Sequence, residues 1–136
     1  MWGADDPDER KPMVWSELTY EDETHHPFGE KRQVDTIEVE EDMLTFYKWM
    51  ISLRNNYSVL RNGDFEINIA DDNTGIFIFT RMNRNEKIIS VFNSSIEAKK
   101  YDSSIMQNME QIAGDINDED SIDGKSFKIY YELINE

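Results

Sequence analysis

The chain has 136 residues, a length that fits one compact domain or one domain with an appendage. Hydrophobic residues make up 38% and aromatic residues 12% of it, so a real core can form and a disordered chain is excluded. The formal net charge of -15 repels phosphate backbones, which argues against a nucleic-acid partner. A neutral ligand such as a sugar would not be repelled. The absence of cysteine excludes disulfides and thiol chemistry.

No apolar run approaches the ~18 residues of a membrane span, and the acidic start of the chain does not have the pattern of a signal peptide. We therefore expect no membrane association, and a soluble protein of the bacterial cytoplasm or periplasm.

Residues 1–40 are predicted to form loops. Trp2 and Trp15 flank a stretch rich in acid, arginine and proline, and Pro7 and Pro12 favour extended backbone before them. Flat aromatic faces beside carboxylates and a guanidinium suit the binding of a sugar ring. The weak alternation over residues 34–39 carries too much acid to predict a strand.

Adjacent histidines at 25 and 26 would point to opposite sides of an extended segment, so they chelate one metal ion poorly. We interpret His25 and His26 as packing residues of the loop, since no nucleophile or partner for acid–base chemistry is evident.

Residues 41–57 carry the clearest helical pattern. Acidic side chains at 40–42 lie at the positive end of the helix dipole, and Arg54 lies near the negative end. The apolar positions recur at helical spacing and form a broad stripe, which must be covered by something: Leu44, Phe46, Tyr47, Met50, Ile51, Leu53 and Tyr57.

Residues 64–93 predict three strands in an antiparallel meander, as in a sandwich or a small barrel. Apolar and polar residues alternate over 65–70, and residues 71–75 have strong turn chemistry. Residues 76–79 are apolar on both faces, and after a second turn at 83–85 the third strand covers 87–92.

Residues 94–123 give the weakest pattern. Ile105, Met106, Met109 and Ile112 predict a short helix that ends near Gly114. An acidic loop over 115–124 follows, and residues 126–133 predict a last strand.

Oxygen-bearing side chains alternate from Asp115 to Asp123, as in a calcium loop. Asp120 stands where an EF-hand loop needs glycine, and Ser126 stands where it needs the bidentate glutamate. We interpret this stretch as a solvated turn and expect no metal.

Carboxylate pairs such as Asp5/Asp6 and Asp8/Glu9 are neighbours in sequence, which does not place them across a cleft as a glycosidase requires. No phosphate-binding glycine loop or nucleophile motif occurs. We expect no catalytic residue and no cofactor in this chain. Trp2, Trp15, Trp49 and Phe92 are the aromatic residues that could stack on sugars, and Trp2 is the preferred one.

Three segments together resemble the α-amylase family (glycoside hydrolase family 13), especially its neopullulanase and cyclomaltodextrinase branch. Gly3, Asp6, Pro7, Arg10, Pro12, Met13 and Trp15 are similar to the segment after the eighth barrel strand. Residues 43–54 resemble the eighth barrel helix, and residues 59–65 resemble the link into the C-terminal β-sandwich. The match covers roughly residues 1–93, and residues from 94 onward do not follow the usual pattern.

This resemblance implies an α+β chain in two parts. Residues 1–57 would be the end of a (β/α)₈ barrel, namely the loop after the eighth strand and the last helix, and residues 58–136 an antiparallel, mainly β C-terminal sandwich domain. The family's retaining machinery acts on α-glucosidic bonds and lies on earlier strands, so none of its catalytic carboxylates can be carried over. Asp6 and Arg10 match positions implied to contact glucose units, and Trp2 is expected beside them.

The implied partners are an α-glucan or maltooligosaccharide and the remainder of the barrel, with self-association through the exposed helix face of the isolated chain. Two alternatives remain. A carbohydrate-binding module would need aromatic residues on a sheet face, and the predicted strands place most of them inside. An acidic interaction domain would explain the charge but not the loop.

Overall fold

The computed structural model describes residues 14–26, 29–118 and 120–134. The chain divides into two compact units, with the break between Met50 and Ile51. The described residues form two helices and mostly antiparallel sheets. In chain order the elements are β1 (Glu23–His25), β2 (Lys31–Asp35), α1 (Glu41–Asn56), α2 (Val59–Asn62), β3 (Asp64–Asp71), β4 (Ile76–Met82), β5 (Glu86–Asn93), β6 (Lys99–Lys100), a 3₁₀ turn (Ser104–Met106), β7 (Glu110–Gly114), β8 (Ser121–Ile122) and β9 (Ser126–Leu133). Within the described ranges, no helix combines the length and the apolar character needed to cross a membrane.

The first unit contains an antiparallel hairpin of β1 and β2. The prediction of loops throughout residues 1–40 is therefore wrong for 23–25 and 31–35. Arg32 and Glu23 face each other across the hairpin with Nη1 2.9 Å from Oε2, so one acid of this charged stretch is paired with a base. Pairing of opposite charges across two strands stabilises the hairpin, although the sequence pattern of neither segment alone predicts a strand.

Helix α1 confirms the predicted helix and ends one residue earlier than expected. Glu41 and Asp42 occupy its first turn and Arg54 its last, as complementarity with the helix dipole requires. Leu53 is the buried residue of this helix, and it shares a core cluster with Val59 of α2.

The second unit is built on a five-stranded sheet with strand order β3-β4-β5-β9-β7, and every neighbouring pair is antiparallel. This confirms the meander of β3, β4 and β5 and the last strand β9. In the first turn, both carboxylate oxygens of Asp71 accept hydrogen bonds, from the backbone N of Asn73 at 2.9 Å and from the hydroxyl of Thr74 at 2.8 Å. Gly75 ends this turn with a positive φ of 77°, which glycine adopts without strain.

Both faces of the sheet are apolar, because neighbouring residues of β4 and β5 point to opposite sides. On one face the first core cluster comprises Ile76, Ile78, Ile89, Val91, Tyr101, Met106, Ile122 and Tyr130. On the other, the second core cluster comprises Leu53, Val59, Ile88 and Ile129.

The helix predicted from Ile105 to Ile112 is wrong. The chain makes a single 3₁₀ turn and then forms β7, which pairs with β9. A helix of two turns is marginal without tertiary support, whereas β9 offers a complete row of backbone hydrogen-bonding groups at its outer edge. Three of the four apolar residues still contribute to the core, since Met106 joins the first core cluster, Met109 packs against it and Ile112 packs against the second. Ile105 is 40% exposed.

Candidate functional site

The predicted sugar-binding residues Trp2, Asp6 and Arg10 lie outside the described residues. The described chain begins just before Trp15, the last residue of the motif. The backbone N of Trp15 donates to the hydroxyl of Tyr20 at 3.0 Å, and its carbonyl accepts from the N of Leu18 at 3.1 Å. Trp15 therefore sits in a defined turn, with its side chain 51% exposed.

Helix α1 exposes part of the predicted apolar stripe. Tyr47 and Ile51 are each 59% exposed, whereas Leu44 is half-buried. Phe46 contacts the rings of both Tyr47 and Trp49, with centroids 6.2 and 5.9 Å apart. An exposed apolar and aromatic helix face is a surface that another element can cover.

A row of phenylalanines runs across the five-stranded sheet on the face opposite the first core cluster. The row consists of Phe65, Phe77, Phe79, Phe92 and Phe127, with neighbouring ring centroids 5.1 to 6.2 Å apart. Phe65 is exposed and the others are half-buried. The expectation that the strands place most aromatics inside is therefore met only in part on this face. The alternation of Phe77 and Phe79 indicates a shared face, but the row across strands follows from a register that local sequence does not give.

The acidic loop between β7 and β9 encloses a lysine ammonium. Lys128 is fully buried, and its Nζ donates to the carbonyl oxygens of Asn117 at 3.3 Å and Asp118 at 2.6 Å. Sequence alternation places this residue on a polar face and gives no sign of its burial. Across the described ranges, no group of three His, Asp or Glu side chains could hold a metal ion.

Asp115 organises the same loop. Burial by itself would raise the pKa of Asp115, but hydrogen bonds from the backbone N of Asp123 and Asn117, together with the Lys128 charge, outweigh it and lower the pKa. The carboxylate is thus held ionised as an acceptor within the loop.

The two histidines lie at the end of β1. The Nδ1 of His25 is 2.9 Å from the hydroxyl of Thr24, and the backbone N of His26 donates to the carbonyl of Glu30 at 2.7 Å. His26 therefore contributes its backbone to closing the hairpin, which agrees with a structural interpretation of this pair.

Glu86, at the start of β5, joins helix α2 to the sheet. Its Oε2 accepts hydrogen bonds from the hydroxyl of Ser58 and from the backbone N of Val59, the latter at 3.1 Å. The Ser58 hydrogen bond is the main cause of a lowered pKa of Glu86, and partial burial opposes it. Because a general acid needs a raised pKa, this carboxylate acts as a structural acceptor that caps the short helix.

No family model matches the chain, but individual relatives do. The chain is 29% identical over 98 residues to a cyclomaltodextrinase of Geobacillus thermopakistaniensis (strain MAS1), a match that covers 72% of this chain and 13% of that enzyme. It is 37% identical over 57 residues to the probable oligo-1,6-glucosidase 2 of Bacillus subtilis (strain 168), covering 42% of this chain and 10% of that protein. The chain thus corresponds to a small fraction of the length of these relatives.

Solved structures with the same fold include Eubacterium rectale Amy13B, with a TM-score of 0.60, 19% identity, and coverage of 81% of this chain and 24% of that one. The isomaltulose synthase PalI of Klebsiella sp. LX3 has a TM-score of 0.54 and 24% identity, covering 67% of this chain and 17% of that chain. The trehalose-6-phosphate hydrolase TreA of Bacillus licheniformis has a TM-score of 0.57 and 16% identity, covering 73% of this chain and 20% of that chain. At these identities the likeness shows the fold.

The helix followed by an antiparallel, β-rich region therefore has the fold of a part of large carbohydrate-active enzymes. More particularly, the chain is a partial match to the α-amylase family, glycoside hydrolase family 13, and covers a small part of each enzyme that it matches. This confirms the resemblance of the chain to that family.

Proposed function

We propose that this chain is the C-terminal portion of an α-glucan-degrading glycoside hydrolase of the α-amylase type. Residues 1–57 would form the end of the catalytic barrel, and residues 58–136 the C-terminal β-sandwich domain. The observation that carries this proposal is the agreement of the two comparisons. A cyclomaltodextrinase matches 72% of the chain in sequence, and a solved structure matches 81% of it in fold.

The part of the chain that we propose to contact substrate is the loop with Trp2, Asp6 and Arg10. Arg10 would donate hydrogen bonds to sugar hydroxyls, while Asp6 would accept from them or hold the guanidinium in place. Trp2 would present an aromatic face to a sugar ring.

Catalysis would come from carboxylates elsewhere in the parent enzyme. Hydrogen bonds from the Thr74, Ser58 and Ser104 hydroxyls are the main cause of lowered pKa values at Asp71, Glu86 and Asp102 respectively. These three groups are stabilised as anions, the opposite of what a general acid in glycoside hydrolysis requires. None of these three is therefore suited to act as a general acid, and we propose that the chain alone is not catalytic.

A carbohydrate-binding module is the second candidate, because the phenylalanine row displays aromatic rings on a sheet face. Two features indicate instead that the phenylalanine row is covered by an apolar surface rather than by a sugar. Most of the row is already half-buried, and the nearby Arg81 donates through Nη2 to the carbonyl of Gly63 at 2.7 Å. Its guanidinium is therefore engaged with the backbone rather than held ready for sugar hydroxyls. Micromolar binding of maltooligosaccharide to the isolated chain, measured by calorimetry, would favour the module.

A chimera tests the proposed loop. The segment of the Geobacillus cyclomaltodextrinase that aligns with this chain is replaced by these 136 residues, and hydrolysis of maltooligosaccharides is followed. We expect Arg10→Ala to lower kcat/KM at least about tenfold, which corresponds to the loss of about 1.4 kcal/mol of transition-state binding.

Lys11→Ala is the matched control, because it removes the neighbouring cation and should leave kcat/KM unchanged. An active chimera in which Arg10→Ala and Asp6→Asn both behave like the unsubstituted protein would contradict the role of the loop.

A further inference from the structure

A cavity of about 390 Å³ lies beside the 3₁₀ turn, between that turn and the edge of the five-stranded sheet. Its lining includes Ser103, Met106, Gln107, Asn108, Gln111 and Tyr130. The volume falls within the ~300–1,000 Å³ range of small-molecule sites. All of these residues belong to the second unit, far in sequence from the loop that we propose to contact substrate.

The backbone fixes the wall of this cavity. The N of Met106 donates to the carbonyl of Ser103, and the N of Met109 donates to the carbonyl of Met106, each at 2.9 Å. Met106 is 4% exposed and anchors the turn in the first core cluster. Asn108 has a positive φ of 70°, a conformation that asparagine tolerates better than most residues. The turn therefore holds Gln107 and Asn108 at the rim in one defined arrangement.

The polar groups of the lining are neutral and available. The side-chain amides of Gln107 and Asn108 make no hydrogen bond with the described residues. Gln111 donates through Nε2 to the carbonyl oxygens of Ala113 and Asp115, and its Oε1 remains as an acceptor. Each amide at the rim supplies both a donor and an acceptor. Such a lining matches a ligand that carries several groups able to donate and accept.

Two residues of the first core cluster, Met106 and Tyr130, also line the cavity. Tyr130 is 7% exposed, and its hydroxyl lies 2.9 Å from that of Tyr101, a hydrogen bond between buried groups. With Met106 and Met109 it makes up the apolar part of the lining. A pyranose ring has the complementary pattern, with C–H groups on its face and hydroxyls around its edge.

Charge narrows the ligand class further. Among the residues that the structure describes, no charged side chain lines the cavity, so neither an anion nor a cation gains a partner from them. The net charge of -15 also opposes anions in general. We infer that this cavity is a second binding site for a neutral sugar, whose hydroxyls are engaged by Gln107, Asn108 and Gln111.

This inference goes beyond the proposed function, because it does not depend on Trp2, Asp6 or Arg10. The test is a titration of the ¹⁵N-labelled 136-residue chain with maltotriose up to about 50 mM, followed by amide chemical shifts. We expect shifts at residues 103–111 and at Tyr130, with a Kd on the order of millimolar, as befits a small and open site.

The double variant Gln107→Ala/Asn108→Gly should weaken this affinity at least about fivefold. Glycine at 108 retains the positive φ, so the turn is preserved. Asn85→Gly removes a similar exposed amide from the turn between β4 and β5 and should leave the affinity unchanged.

The outcomes separate this site from the proposed loop. Shifts confined to residues 2–15 would support the loop and contradict the cavity site. Absence of shifts at 103–111, or unchanged affinity in a double variant whose spectrum shows the native fold, would also overturn the cavity site. The chimera assay measures the loop independently of either result.

Discussion

Two ionisable side chains, Glu86 and Lys128, each connect separate segments of the second unit. Glu86 accepts hydrogen bonds that fix helix α2, and the hydroxyl of Tyr131 lies within 3.5 Å of its other oxygen. Lys128 donates hydrogen bonds to two backbone carbonyl groups of the acidic loop. These partners of Glu86 lie 27 to 45 residues away in the chain, and those of Lys128 lie 10 and 11 residues away in a loop. Their contribution to stability therefore depends on the tertiary fold rather than on local sequence.

The first prediction concerns Glu86 and acid. Because the pKa of Glu86 in the folded chain is below its ordinary value of 4.5, its hydrogen bonds stabilise the fold above that pH. This stability is lost as the pH falls through the lowered pKa. Between pH 6 and pH 3 the native chain should lose about 1 kcal/mol more than Glu86→Gln, measured by urea unfolding. Glu66→Gln, which changes an exposed carboxylate of β3, should retain the full acid dependence. Identical pH profiles for the native chain and Glu86→Gln would show that the carboxylate has no such role.

Among the elements, the local sequence pattern was sufficient to predict α1, β3, β4, β5 and β9. Each of these is long, and the spacing of its apolar residues fits a helix or a strand. It was insufficient for the β1–β2 hairpin and for β7, whose strands form because a partner edge is available. The burial of Lys128 and the phenylalanine row likewise depend on strand order and register. For the site, the family motif identified Asp6 and Arg10 and the aromatic pattern identified Trp2, and all three lie outside the described residues. The amides around the 3₁₀ turn were missed, because a helix was expected there.

The pairing of β7 with β9 yields the second prediction. Gly114 has a φ of 94°, and a Cβ at this position would lie 2.0 Å from the carbonyl oxygen of Phe127 and 2.8 Å from the Cα of Lys128. Since backbone atoms cannot move aside cheaply, Gly114→Ala should cost about 3 kcal/mol or more in the free energy of unfolding.

Gly75→Ala provides the comparison within the same unit. Its φ is 77°, but the nearest atom to the added Cβ is the Oγ of Ser94 at 2.9 Å, a side-chain group that can rotate. We expect this variant to cost about 1–2 kcal/mol. Equal costs for the two substitutions would mean that β7 does not approach β9 this closely.

At the scale of the whole molecule, an acidic chain exposes an apolar helix face. Covering Tyr47 and Ile51 is worth roughly 1.5–3 kcal/mol for each side chain, which favours contact with another surface. In the proposed parent enzyme that surface would be the rest of the barrel. In the isolated chain a second copy is the available partner, although the net charge of -15 opposes close approach.

We therefore predict that the isolated chain self-associates through α1. In sedimentation velocity, Tyr47→Ser/Ile51→Ser should shift the distribution toward monomer. Ile96→Ser/Ile116→Ser removes two other exposed apolar residues, 85% and 92% exposed, and should leave the distribution unchanged. A native chain that sediments as a monomer at all concentrations would contradict this prediction.

The central claim, that these residues are a non-catalytic portion of an α-glucan hydrolase, is tested most directly by assaying the purified 136-residue chain for cleavage of maltooligosaccharides and cyclodextrins. We predict no release of reducing sugar above that from a heat-denatured sample. Cleavage by the native chain that disappears when one of its own aspartates or glutamates is replaced by the corresponding amide would contradict the claim.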